Sequence, residues 1–183
     1  MKRALALLAV LSCLSTVTVR AEESQTQAKA APAGVKGEIA RNLDSAGDKL
    51  IQLAEAIPAD KFAWRPAEGV RSFSEAFLHA AGGNYMISSF VGAKVPEGFD
   101  PQKFETSTTK KEEIVEHLKK SLAHVKAATN AIADADMDTQ AKWFLGEGSK
   151  REILFFTAAH NHEHLGQLIA YARMNGIKPP WSK

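Results

Sequence analysis

Three of the chain's six histidines, His160, His162 and His164, alternate along one short run. Neutral imidazole is a good ligand for zinc, nickel, iron or copper, so what matters is which rings can converge. In a helix His160 and His164 are four residues apart, share a face and can direct their rings at one ion. His162 lies about 200° round from His160 and points elsewhere. The paired stripe also carries Ile153, Phe156, Gln167, Leu168 and Tyr171, so the pair faces a core. A lone core histidine is ordinarily just hydrogen-bonded. Two on one apolar stripe cost free energy unless something satisfies both, which a metal ion does. A third ligand would decide between these readings.

His79 is the natural third ligand. It stands mid-helix in Phe77-Leu78-His79-Ala80-Ala81, the one other histidine with apolar neighbours. Packing its helix against the one bearing His160 and His164 makes a three-histidine set with an open position, the pattern of catalytic metal sites. His117 and His124 fall off the apolar stripe, near Lys119, Lys120 and Lys126, and read as solvated surface residues. The metalloprotease pattern HExxH fails, because Gly166 stands where the second histidine belongs. Glu75 precedes His79 by one turn, but its place three residues after Ser72 assigns it to a helix cap. No other Asp or Glu reads as buried beside the three histidines. Gln167, Tyr171, Asn84 and Tyr85 are the candidate polar groups at a pocket mouth. A non-catalytic metal or small-ligand binding protein is the alternative; a storage or delivery protein would be expected to show a closed or carboxylate-rich site.

Four amphipathic stretches must position these residues. The first, residues 35–57, steps through Ile39, Leu43, Ala46, Leu50, Leu53 and Ile57, and Pro58 closes it. Residues 59–71 carry Phe62, Trp64, Pro66 and Gly69 and read as an ordered apolar connection. The second stretch starts at a Ser72/Glu75 capping box and runs to about residue 91. Gly82-Gly83 inside it costs roughly 1 kcal/mol each relative to alanine. Close approach of another backbone, or room beside His79, would explain them. Residues 92–108 read as a surface connection. The third stretch starts at a Thr109/Glu112 box and buries Ile114, Leu118, Leu122, Val125, Thr129 and Ile132. Residues 133–148 form a connection containing Trp143 and Phe144. The fourth, residues 149–175, opens with a Ser149/Glu152 box and stops at Gly176 with Pro179-Pro180 beyond. No stretch alternates well enough to be a strand. The expectation is an all-α chain, a four-helix bundle with its metal site between facing helices.

Residues 1–21 read as a secretory signal peptide: Lys2 and Arg3, then apolar residues 4–14, then Val19-Arg20-Ala21. The apolar run is too short for a membrane span. A second reading cleaves before Cys13, the only cysteine, to give a lipoprotein. Cleavage after Ala21 leaves a mature chain without thiol or disulfide. It also removes Lys2, Arg3 and Arg20, turning the formal charge of +2 into −1 and leaving no basic stripe for nucleic acid. Residues 22–34 read as a flexible leader and 35–183 as one domain. The protein is expected to be exported, periplasmic or extracellular.

Several short segments together resemble the DinB-like (DinB/YfiT-like) metalloenzyme family. They are Trp64-Arg65-Pro66, Val70-Arg71-Ser72-Phe73, Leu78-His79-Ala80, the run from His160 to Leu168, and Arg173-Met174-Asn175-Gly176-Ile177-Lys178-Pro179-Pro180. The resemblance covers residues 38–182. It implies an up-down-down-up four-helix bundle, often dimeric, whose divalent metal site maps onto His79, His160 and His164. The expected cofactor is a divalent transition metal, zinc or nickel. The resemblance further implies a small-molecule substrate, with metal-dependent thiol transfer, thiol-dependent isomerisation or hydrolysis as the reactions, and no nucleic-acid partner. Export sets this chain apart, since the thiols used by such relatives are mainly cytoplasmic.

Overall fold

The structure, a computed structural model, describes residues 33–182. The signal peptide and nearly all of the leader expected from the sequence lie outside these residues. Four long helices make the domain: α1 (Gly34–Ala56), α2 (Phe73–Ser89), α4 (Lys111–Ala131) and α5 (Lys150–Met174). A short helix, α3 (Pro101–Glu105), interrupts the connection between α2 and α4. The expected helices thus form within a residue or two of their sequence limits. Among the described residues no helix is long and apolar enough to cross a membrane.

The apolar stripes become the core. Ile39, Leu43, Leu50, Leu53, Phe73, Phe77, Ile114 and Ile153 are all fully buried. One cluster joins Leu50 and Leu53 of α1, Phe73 to Ala81 of α2, Ile114 and Leu118 of α4, and Leu165 and Leu168 of α5. The other joins Ile39 and Leu43 with Ile87, Val91, Val125, Ile132, Ile153 and Leu154. These partners set the directions of the helices. The N-terminal half of α1 meets that of α5, so the two are parallel. By the same reasoning α2 and α4 are parallel, and both oppose α1 and α5. Lys36 Nζ at the start of α1 donates to Ile132 O beyond α4 (2.9 Å), while Lys111 Nζ at the start of α4 donates to Ile57 O (2.9 Å). The order is up-down-down-up, and two parallel neighbours in a row require the long crossover that contains α3.

A polar layer separates the two clusters. Asn161 Nδ2 donates to Asn84 Oδ1 (2.7 Å), and Asn84 Nδ2 donates to Ser121 Oγ (3.1 Å). All three side chains are fully buried. Buried amides are tolerated because they bond one another across three helices. Asn84 is therefore an interior link and not a pocket-mouth residue.

The helix ends follow the expected capping with two differences. Ser72 and Glu75 form both bonds of a capping box. Ser149 Oγ accepts from Glu152 N (3.3 Å) and supplies its half. The Thr109/Glu112 box does not form: α4 starts one residue later, and Thr108 Oγ1 accepts from Lys110 N (3.0 Å) instead. The expectation of no strand is also overturned. Gln140–Trp143 (β1) and Gly146–Ser149 (β2) pair antiparallel, turning through Phe144-Leu145. Trp143 and Phe144 both pack edge-on against Phe156 of α5, at 5.3 and 5.6 Å between centroids. Packing onto the helix holds strands that are too short to show a clear alternation.

Candidate functional site

The site is built where α2 crosses α5. His79, His160 and His164 each direct Nε2 or Nδ1 to one point, the three ligand atoms lying within 4.8 Å of one another. The Nε2 atoms of His160 and His79 are 3.3 Å apart, and those of His164 and His160 are 3.1 Å apart. His162 is exposed on the far side of the helix. The structure thus brings together the three predicted histidines and leaves out the fourth.

Gly83 explains the approach of His160. A Cβ on Gly83 would stand 2.8 Å from His160 Nδ1 and closer still to Cε1. The glycine makes room for His160, not for His79 as the sequence suggested. A Cβ on Gly82 would meet the Phe104 ring at 3.3 Å. The glycine pair therefore serves two neighbours, one on each side of α2.

The outward ring nitrogens reveal which lone pairs face inward. His79 Nδ1 donates to Glu105 Oε2 (2.7 Å). His164 Nδ1 donates to Gln167 Oε1 (3.0 Å), and Gln167 Nε2 donates to the Tyr171 hydroxyl (2.8 Å). With their protons on Nδ1, both rings present an Nε2 lone pair to the centre. His160 Nδ1 is buried without a partner. His160 Nε2 stands between the other two Nε2 atoms, so one ion placed among them could take a lone pair from each ring. The donors are three neutral imidazoles, a set that fits a divalent transition metal.

Electrostatics favour the neutral rings. Burial, with the neighbouring charges of His164, His79 and Arg71, pushes the His160 imidazole down to about 3. Burial likewise holds His164 below the ordinary histidine range. Burial acts to raise the Glu105 carboxyl, but the hydrogen bonds and charges of Arg71 and His79 outweigh it and lower it. A consequence for the metal-free protein follows from His160. Its unfolded imidazole protonates near pH 6.5, whereas the folded one stays neutral to about 3, so stability present above 6.5 falls as the pH drops below it. The full loss is on the order of 5 kcal/mol at about 1.4 kcal/mol per unit. Urea melts of chelator-treated protein between about pH 7.5 and pH 4 should show this decline, and His160→Gln should flatten it.

Beside His79 and His160 opens a cavity of about 220 Å³, lined also by Arg71, Gly82, Gly83, Met86, Pro101, Gln102 and Glu105. Its polar mouth comes from Arg71, Gln102 and Glu105, and none of the four residues expected there contributes. Gln167 and Tyr171 stand behind His164, where Tyr171 packs on Trp64 and Phe73 at 5.6 Å. Tyr85 is buried against Phe99 and His124. His117 and His124 are half-buried, not solvated, their imidazoles lowered mainly by burial, and neither joins the cluster. Glu75 keeps its cap and bonds Arg65 (2.8 Å). The site residue with no mark of its role in the sequence is Glu105. It lies in what reads as a surface connection, and only the Asp100-Pro101 start of α3 hints at order there.

A family model described as the DinB family matches residues 25–183. No curated protein matches the chain. Solved structures share the fold at low identity. A DinB-like protein from Bacillus cereus is 17% identical, with a TM-score of 0.69 over 81% of this chain and 97% of its own. YfiT from Bacillus subtilis, described as a probable metal-dependent hydrolase with an unusual four-helix bundle topology, is 13% identical (TM-score 0.62, 78% and 89%). A mycothiol-dependent maleylpyruvate isomerase is 11% identical (TM-score 0.60, 74% and 61%). The colibactin self-resistance protein ClbS, crystallised with double-stranded DNA, is 18% identical (TM-score 0.57, 74% and 93%).

Proposed function

This chain is a member of the DinB family, and we accordingly propose that it is an exported metalloenzyme whose His79, His160 and His164 hold one divalent transition metal ion, zinc or nickel, for thiol transfer or hydrolysis on a small molecule. The observation that carries the reading is the convergence of three imidazoles, two with their protons held outward by Glu105 and Gln167. A divalent ion bound there would lower the pKa of a thiol or water beside it. The protein's own part is positional. Glu105 and Gln167 orient two rings, Gly83 admits the third, and the 220 Å³ cavity admits a small molecule or one end of a larger one. Arg71 and Gln102 offer the donors that would orient it.

The thiol and hydrolysis alternatives draw support from the isomerase and from YfiT respectively. A nucleic-acid role finds no support in the charge, because removal of residues 1–21 leaves the formal charge at −1. The apolar surface of Phe144, Leu145 and Phe155, each at least half exposed, supports the homodimer in this reading. Elemental analysis of purified protein tests the core of the proposal, with one zinc or nickel per chain as the expected result. Thiol-conjugation and esterase assays, with and without chelator, then separate the two reactions. Stoichiometric metal with neither activity would favour a binding protein, and metal-free protein that takes up no ion would sink the proposal. N-terminal sequencing of exported protein should find a start near Glu22 and not a lipid-modified Cys13.

A further inference from the structure

We propose that Glu105 is a positioning residue that sets the metal affinity of the site through His79. The inference rests on the three-histidine metal reading and adds to it a residue from a different part of the chain. Glu105 Oε2 accepts from His79 Nδ1 at 2.7 Å. Its other oxygen, Oε1, accepts from Arg71 Nε at 2.6 Å, and Arg71 Nη2 reaches Oε2 at 3.3 Å. The carboxylate is thus held by a guanidinium fork on one side while it holds an imidazole on the other.

Its backbone is anchored as well. Glu105 ends α3, whose first turn is capped by Asp100 Oδ1 accepting from Gln102 N (3.0 Å) and Lys103 N (3.3 Å). The preceding residue, Phe104, sets its ring against the bare face of Gly82 and edge-on to His117 (4.8 Å) and Tyr85 (6.1 Å). This packing makes α3 a fixed wall of the cavity and fixes where the carboxylate stands.

The three rings are supported unequally. His164 leans on a neutral amide, His160 Nδ1 has no partner, and His79 alone has a carboxylate. A carboxylate on Nδ1–H fixes the tautomer and ring angle and raises the basicity of the opposite nitrogen. His79, like His160, lines the cavity, and its side chain is 29% exposed, where solvent motion would otherwise disorder it. Arg71 and Glu105, 38% and 22% exposed, also pair with each other, so melting of the metal-free protein separates a structural contribution from the positioning one.

The test uses the mature protein as wild type, Glu105→Gln and Glu105→Ala, titrated with zinc against a chelator and with cobalt(II) for its visible spectrum. Glu105→Ala should weaken zinc by about 10–100-fold. Glu105→Gln keeps an acceptor oxygen without the charge and should fall between that variant and wild type. Both should shift the cobalt bands, while metal-free melting moves little. Wild-type affinity and spectrum in Glu105→Ala would overturn the proposal. Should that variant fail to fold, unchanged affinity and spectrum in Glu105→Gln would do the same. A wild-type protein that binds neither metal overturns the metal reading itself, and this inference with it.

Discussion

His79→Ala, His160→Ala and His164→Ala should each lose more than about a hundredfold in metal affinity, beyond the loss typical of removing a supporting residue. His162→Ala should still bind one ion per chain. The reason is geometric. The three rings converge within 4.8 Å from two helices, whereas His162 is exposed on the opposite side of α5. With three protein ligands, removal of one leaves two against water, too few to hold the ion tightly. Gly83→Ala should weaken binding without replacing a ligand, because its methyl group would occupy the space of the His160 ring. Binding should also fail in acid, since protons compete for the same lone pairs. Titrations of the five proteins with zinc and nickel near neutral pH check the set. Retention of metal by His79→Ala, or its complete loss in His162→Ala, would show that the wrong three histidines are assigned.

Leu118→Ala should cost about 2–5 kcal/mol of folding free energy, the range for deleting a buried leucine side chain. Leu118 is 1% exposed and belongs to the cluster that joins all four long helices below the polar layer. The helices packed against α4, α1 and α2, limit how far the cavity left behind can collapse. Lys119→Ala, one residue on, should cost no more than about 0.5 kcal/mol. Its ammonium meets Glu55 at 3.1 Å, with both side chains half exposed, and such pairs contribute little. Denaturant melts of the two variants provide the comparison, and similar losses would place α4 in the wrong rotation.

Most of the scaffold is legible in the order of the residues. A helix carries its own signature, because residues three and four apart must share a face and because Ser72 and Glu75 can satisfy each other's backbone within one turn. The same periodicity puts His160 and His164 together, sets His162 apart and marks Leu118 as buried. The hairpin has no such signature, because its strands are four residues long and are held by Phe156 rather than by a pattern of their own.

The features written into the chain are therefore local: four apolar faces, their caps, and a histidine pair on one of them. What each face meets depends on the assembled bundle. Folding places Gly83 under His160, sinks Asn84 into a layer with Ser121 and Asn161, and half-buries His117 and His124 against the rings of the crossover and of Tyr85. It also carries Glu105 from a connecting segment to His79, 26 residues away in the chain. The difference lies in the range of each interaction. Periodicity and capping act within a turn or two of helix, whereas a carboxylate in the crossover has no local mark of the imidazole it will support until the parallel pair α2 and α4 forces the chain to cross over the site.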